Sequence, residues 1–250
     1  MADESDWSED TLLGGRVRLR QPRRGHRAGT DAVLLAASAE VLRGERVADV
    51  GASTGAVGLM VAARVPEIDL LFVEREPGLA ALCRENVLLN SLGERARVIE
   101  ADVLAPAAAR EAAGLVPGEA DLVVTNPPFL DPARTRRSPD PARADAHQLP
   151  EGGLALWLRA CADLLAPKGR IGLIHRADSL EEVLGAMPRG FGGVSLRFVH
   201  PRRDAAAIRV LVAARRGSRA PLAVAPPVFI HEDARFTSEA GAIHRGENPP

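Results

Sequence analysis

Arg46-Val47-Ala48-Asp49-Val50, Gly51-Ala52-Ser53-Thr54-Gly55 and Ala56-Val57-Gly58-Leu59-Met60-Val61 run consecutively. The first block is a short apolar run, which reads as a buried strand. The second has the glycines of a tight turn, and the third is apolar enough for a buried helix, expected over Ala56 to Arg64. A strand that turns on glycines into a helix lets backbone approach a ligand, and the helix start offers free N–H groups. The spacing is not G-x-G-x-x-G, which would place glycine at Ser53 and Ala56, and this argues against a dinucleotide.

The alternation continues on both sides. Downstream, strands are expected at Ile68–Val73 (ending in Glu74), Arg97–Glu100 (ending near Asp102), Asp121–Val124 and Arg170–His175. Helices are expected at Gly78–Asn90, within Ala105–Glu119, at Leu154–Leu165 and at Ser179–Met187. Val194–Val199 and Ala207–Ala213 are joined by the short basic turn His200–Asp204, a hairpin that makes the last strand antiparallel. Upstream, Gly14-Gly15 and the alternating Arg16-Val17-Arg18-Leu19-Arg20 predict a hairpin strand, and Thr30 or Asp31 is expected to cap a helix over Ala32–Leu42. Repeated strand–helix units imply a mostly parallel sheet of seven strands with helices on both faces. The expected organisation is an acidic disordered tail at 1–10, an N-terminal hairpin and basic loop at 11–29, one α/β domain at 30–217 and a C-terminal tail at 218–250. In that tail, Val228-Phe229-Ile230 is a candidate edge strand.

The 250 residues are 46% hydrophobic and 26% charged, ordinary for a globular chain. No apolar run approaches the roughly 18 residues of a membrane helix. The acidic start, Asp3 to Asp10, is unlike a signal peptide, and a cytoplasmic protein is expected. Cys83 and Cys161 lack metal-like spacing, so no metal is expected and both read as thiols in a reducing compartment. The sequence does not fix the oligomeric state, and a monomer is favoured.

Two further features carry chemistry. Glu74 and Asp102 end the strands that follow the glycine turn. A carboxylate at the first position can take ribose hydroxyls, and one at the second can accept from an adenine amino group. Together with Asp49–Gly55 they make an adenosine-type pocket at the carboxyl edge of the sheet. Then Thr125-Asn126-Pro127-Pro128-Phe129 follows the strand at Asp121–Val124. Two prolines lack ladder N–H groups, so the strand must end there and the chain must turn stiffly. The outcome is an amide and a carbonyl that can accept from a planar NH2 group, with a ring, Phe129, on which the amine's aromatic system can stack.

The Asp49–Gly55 turn, Glu74, Asp102 and Asn126-Pro127-Pro128-Phe129 resemble class I S-adenosylmethionine-dependent methyltransferases with the N/D-P-P-F/Y/W signature. More narrowly, Leu13–Val17, Gln21-Pro22, Gly25–Ala36, Ser138-Pro139-Asp140, Arg143, Ala146-His147 and the Phe236–Arg245 tail look like the tRNA1(Val) adenine-37 N6-methyltransferases. The resemblance implies a Rossmann-like methyltransferase fold and S-adenosylmethionine as cofactor. It implies a cofactor set of Asp49, Gly51, Ser53, Gly55, Glu74, Asp102 and Val103, with Arg27, Thr30 and Asp31 closing the pocket. Asn126, Pro127, Pro128 and Phe129 then grip the target base, Asn126 also bordering the cofactor. Two positions depart from that family's pattern: Ser53 replaces the middle glycine of the turn, and His26 replaces a tyrosine.

The net charge is −1, but the arginines cluster. Six fall between Arg16 and Arg27 with no acid, and seven between Arg197 and Arg219 with only Asp204. Arg23, Arg24, Arg134, Arg136, Arg137, Arg202 and Arg203 all belong to loops expected near the pocket. They are candidates for binding RNA phosphates, with tRNA as the expected partner. The same amine chemistry fits guanine N2 of ribosomal RNA, DNA adenine or a release-factor glutamine. A catalytically weak RNA chaperone is the reading from outside enzymes.

Overall fold

The apolar blocks around the Gly51–Gly55 turn form the middle of the sheet. The structure, a computed structural model, describes residues 7–24, 27–128 and 152–247. In chain order the elements are β1 (Trp7–Leu12), a 3-10 turn (Leu13–Gly15), β2 (Val17–Pro22), α1 (Thr30–Ser38), β3 (Arg46–Val50), α2 (Ala56–Arg64), β4 (Asp69–Glu74), α3 (Pro77–Leu89), β5 (Ala96–Glu100), α4 (Ala107–Ala112) and β6 (Ala120–Thr125). Then follow α5 (Gly153–Leu164), β7 (Leu165–Arg176), α6 (Leu180–Ala186), β8 (Phe191–His200), β9 (Arg209–Arg216), β10 (Ala223–Val224), β11 (Val228–Phe229), β12 (His231–Glu232), β13 (Arg235–Phe236) and α7 (Ser238–Arg245).

The central sheet has the order β10-β8-β9-β7-β6-β3-β4-β5, with β11 also on β8. All pairs from β7 to β5 are parallel, and β9 runs antiparallel between β7 and β8. The sheet is therefore the expected α/β architecture, widened from seven to nine strands by β10 and β11. The chain leaves β3 in one direction through β4 and β5 and returns on its other side through β6 and β7. That reversal puts the switch point between β3 and β6, at whose carboxyl ends ligands bind in such sheets.

Strand residues alternate between two cores. Val47, Leu122, Val124 and Ile174 face the layer of α1, α2 and α3, while Ala48, Val50, Val123 and Leu173 face that of α5 and α6. The helix α1 buries the uninterrupted run Ala32–Ala37, because the sheet, α2 and α7 all pack against it. Burying a side chain such as Leu34 or Leu35 fully is worth about 1.5–3 kcal/mol.

Four expectations are corrected. The acidic tail does not extend to residue 10, because Trp7–Asp10 are in β1, paired with β2 from Trp7↔Pro22 to Leu12↔Val17. Its acids meet basic and amide groups in and just beyond β2: Glu9 pairs with Arg18 at 2.6 Å, and Asp10 takes Arg27 at 2.7 Å and Gln21 at 2.9 Å. The acids thus stitch a hairpin and do not mark a solvated end. Second, neither Thr30 nor Asp31 caps α1. Gly29 is the N-cap without a side-chain cap, and the helix ends at Ser38. Third, β7 starts at Leu165, earlier than expected, since the chain passes Pro167 and Lys168 (φ +66°) as an irregular extended segment before pairing Leu122↔Arg170.

Fourth, the segment after Gly217 is no loose tail. β11 pairs Val228↔Val199, so the expected edge strand forms, and α7 buries Ile243 in the core with Val228 and Ile230. The Thr237 hydroxyl caps α7 at Ala240 N–H, 3.1 Å away. At the far end, Arg16 Nη2 donates to the Gly246 carbonyl at 3.0 Å. Residues 223–247 thereby tie the end of β8 to the N-terminal hairpin. No helix among the described residues is long and apolar enough to cross a membrane.

Candidate active site

Parallel register brings four strand ends to one level: Val50↔Val73, Val50↔Thr125 and Thr125↔Leu173. Gly51, Glu74 and Asn126 therefore leave the same edge, and Glu74↔Glu100 brings the Asp102 loop beside them.

The turn after β3 is built by local strain and close packing. Gly51 and Gly55 have φ of +74° and +87°, and neither has room for a Cβ. At Gly51 it would lie 2.9 Å from the Trp157 ring, and at Gly55 2.8 Å from Cys83 Sγ. Ser53 also sits in the left-handed region, at φ +52°. That conformation costs an L-residue about 1–2 kcal/mol, which is the physical reason a glycine suits the position. The serine is held there because its N–H donates to Glu74 Oε2 at 2.7 Å. A hydrogen bond to a charged acceptor is worth roughly 1.5–3 kcal/mol, enough to offset the strain.

Glu74 is buried, and its other oxygen accepts from Glu76 N–H at 2.9 Å. Each carboxylate oxygen thus spends one lone pair on backbone and keeps another for a ligand hydroxyl. Asp102 is exposed, its Oδ1 accepting from Leu104 N–H at 2.8 Å. Val103 points into the core with Val50 and Leu71, so only its backbone is left to face a ligand.

Asp49 is 2% exposed and accepts from Gly58 N–H, inside α2, at 2.9 Å. Burial first, and the nearby Glu74 charge second, push its carboxyl up to about 7. Cys83 lies under the same turn, and burial raises its thiol well above the ordinary value. It is a packed, protonated thiol, not a nucleophile.

β6 ends in a second rigid device. Thr125 is fully buried, donating to the Val50 carbonyl at 2.7 Å and accepting from Trp157 Nε1 at 2.9 Å. Trp157 of α5 thereby touches both halves of the site, locking Thr125 with its indole N–H and filling the space beside Gly51 with its ring. Immediately after Thr125, Asn126 Oδ1 is buried with no hydrogen-bond partner among the described residues. An unpaired buried acceptor costs about 1–3 kcal/mol, so it stands ready for a donor from a ligand. Phe129 and Arg134, Arg136 and Arg137 lie outside the described residues, as does His26.

The expected lid residues are engaged within the protein. Arg27 donates to Ser8 Oγ, the Pro22 carbonyl and Asp10, at 2.7–2.9 Å. Asp31 accepts from Arg209 Nε, at the start of β9, at 2.8 Å. Thr30 opens α1. Arg27 thus ties the chain entering α1 to the N-terminal hairpin, and Asp31 ties the start of α1 to the start of β9. Arg23 and Arg24 are exposed beyond β2, and Arg202 and Arg203 are exposed beyond β8, whose parallel direction sends their turn to the same edge.

Residues 27–174 match the methyltransferase small domain family. The chain belongs to that family.

Solved and curated relatives agree with the placement. This methyltransferase superposes on a predicted O-methyltransferase from Agrobacterium tumefaciens with a TM-score of 0.73 and 32% identity, covering 88% of this chain and 98% of that one. It is 35% identical over 161 residues to a tRNA1(Val) (adenine(37)-N6)-methyltransferase of Aeromonas hydrophila, 63% of each chain. It is also 35% identical over 131 residues, half of each chain, to the enzyme of that name from Yersinia pestis. The chain thus spans between half and just under two thirds of those curated relatives.

Two contributors carry no strong local signal. Trp157 stands out by rarity alone, and Arg209 reaches Asp31 from 178 residues away. His175, near the carboxyl end of β7, is buried, and burial pulls its imidazole down to about 4, so it is neutral at physiological pH. A cavity of about 820 Å³ near Arg110, Gly118, Lys168 and Arg216 opens at the opposite, amino edge of β6 and β7 and takes no part in this site.

Proposed function

We propose that this methyltransferase transfers a methyl group from S-adenosylmethionine to the exocyclic N6 of an adenine in tRNA, with adenine 37 of a valine tRNA as the expected target. The observation that carries the reading is the buried Asn126 Oδ1 at the end of β6, without a hydrogen-bond partner among the described residues and next to the Gly51–Gly55 turn and Glu74. The residues present fit the cofactor. Glu74 keeps lone pairs for ribose hydroxyls, Asp102 Oδ2 is available to an adenine amine, and the left-handed turn brings backbone close.

When bound, the cofactor supplies a methyl carbon on positively charged sulfur, ready to be displaced as a neutral thioether. The protein's task is to present nitrogen. An aromatic amine is conjugated with its ring and is a poor nucleophile. Asn126 Oδ1 and the Pro127 carbonyl can each accept one of its hydrogens, which favours a pyramidal nitrogen and localises its lone pair. The two prolines hold both acceptors still, so orientation is set before reaction, and such positioning contributes several kcal/mol. After transfer, the proton lost from nitrogen goes to water, since neither acceptor is a strong base.

A hydroxyl acceptor fits less well. It presents one hydrogen and needs a base to remove it, whereas an NH2 group presents two hydrogens to two acceptors. Guanine N2, DNA adenine and a glutamine amide share that geometry. The relatives named for adenine 37 support the adenine, and the exposed Arg23, Arg24, Arg202 and Arg203 at the carboxyl edge support a nucleic acid. Nucleoside mass spectrometry of valine tRNA from cells with and without the gene is the test. N6-methyladenosine at position 37 is expected to disappear with the gene and to return when the purified protein and cofactor are added. An unchanged level overturns the substrate.

A further inference from the structure

The turn beyond β8 carries more than positive charge. Its backbone is clasped by the segment after β11: Ile230 N–H donates to the His200 carbonyl, and His231 N–H to the Pro201 carbonyl, both at 2.9 Å. This clasp sets rings beside arginines. The Arg203 guanidinium lies 4.6 Å from the centre of the Phe229 ring, and His200 tilts against the same ring at 5.4 Å. Next to it, His231, Phe236 and His244 form a column, with centroid spacings of 5.1 and 4.5 Å and interplanar angles of 12° and 23°. Phe236 is 45% exposed. The chain has six phenylalanines and no tyrosine, so placing two of the six on this surface is a substantial share of its rings.

Charge pairing separates the two arginines of the turn. Arg202 reaches Asp204 at 3.4 Å, whereas Arg203 has no acidic partner among the described residues. Arg203 lies over Phe229 and is exposed, so its guanidinium stays accessible to a ligand. A guanidinium held over a ring is positioned to stack on a second planar group while its N–H groups reach phosphate. Arginine planes and aromatic rings together are the means by which unpaired bases are held, whereas phosphates alone need only charge. β8 stands three strand spacings, about 14 Å, from β6 across the sheet. The register levels Thr125 with Leu196, so the turn lies further out beyond the carboxyl edge, within reach of a few unstacked nucleotides.

We infer that Arg203 on Phe229, with the His231–Phe236–His244 column beside it, is a stacking platform for an unpaired base of the RNA flanking the methylated one. The inference rests on the RNA reading above but not on the identity of the methylated atom. It gives the segment after Gly217 a role in substrate binding.

The test compares a short RNA stem–loop with a blunt duplex of the same stem, by fluorescence anisotropy on the full chain. The protein is expected to bind the stem–loop more tightly. Arg203→Lys keeps the charge and removes the plane. It is expected to weaken stem–loop binding about tenfold, leaving duplex binding and the salt dependence unchanged. Phe236→Leu, which keeps apolar bulk, is expected to weaken the stem–loop in the same selective way, with an unchanged melting temperature as its control. The inference is overturned if Arg203→Lys binds the stem–loop like the parent, if both RNAs weaken equally, or if the parent does not distinguish them. Loop discrimination without methyl transfer to adenine would leave the platform standing and remove the adenine assignment. Methyl transfer with no loss in either variant would do the reverse.

Discussion

Asn126→Ala is expected to lower kcat for methyl transfer by about 100-fold to 1000-fold, the scale of losing one preorganised polar contact to a transition state. The fold is expected to be untouched. Among the described residues Asn126 Oδ1 has no partner to lose, so removing this oxygen breaks no hydrogen bond that the fold makes to it, and the melting temperature is expected to stay close to that of the parent. Cofactor affinity, measured by calorimetry, is expected to change little, since Glu74 and the glycine turn are intact. Asn126→Asp keeps an acceptor oxygen and is expected to retain more activity than alanine does. Alanine activity within about threefold of the parent would remove Asn126 from the chemistry and, with it, the amine-gripping role of the motif.

The second large effect concerns Asp49. Its carboxyl is held up at about 7 against an unfolded value near 3.8, chiefly because it is buried. Below both values the group is protonated in either state and contributes no pH dependence. As pH rises through the interval, the unfolded chain releases its proton before the folded one does, so stability falls, and the loss is complete above about 7. Asp49→Asn mimics the protonated form and can still accept from Gly58 N–H. At pH 8 the variant is expected to be more stable by on the order of 4 kcal/mol in denaturant titrations. Its stability between pH 4 and pH 7 is expected to slope downward less steeply than the parent's. Parallel profiles for the two proteins would show that Asp49 does not keep its proton in the fold.

The strands around the Gly51–Gly55 turn were legible because buried parallel strands are short apolar runs and left-handed turns demand glycine, both local signals. The place of Asn126 was legible for the same reason, since two prolines can only end a strand. What was not legible depends on partners far along the chain. The acids of Trp7–Asp10 look like a solvated end until Arg18 and Arg27 are seen across the hairpin. Asp31 reads as a helix cap until Arg209 arrives from β9. Trp157 is conspicuous by rarity, yet its position between Thr125 and Gly51 exists only once α5 is laid on the sheet. The segment after Gly217 has two-residue strands too short to leave a periodicity, and only their pairing with β8 reveals them.

That last segment bears on how the protein can be cut. The matched family region stops at residue 174, inside β7, whereas β7 pairs with β9 from Arg170 to Arg176 and the core behind it is closed by Val228, Ile230 and Ile243. Excising residues 27–174 would leave β7 as a long, apolar, unprotected edge and strip α1 of its cover, the arrangement that recruits other chains. Such a fragment is expected to elute as aggregate in size-exclusion chromatography, while residues 7–247 elute as a discrete species. The border of the matched family region is therefore not a border of autonomy: solubility depends on the last third of the chain.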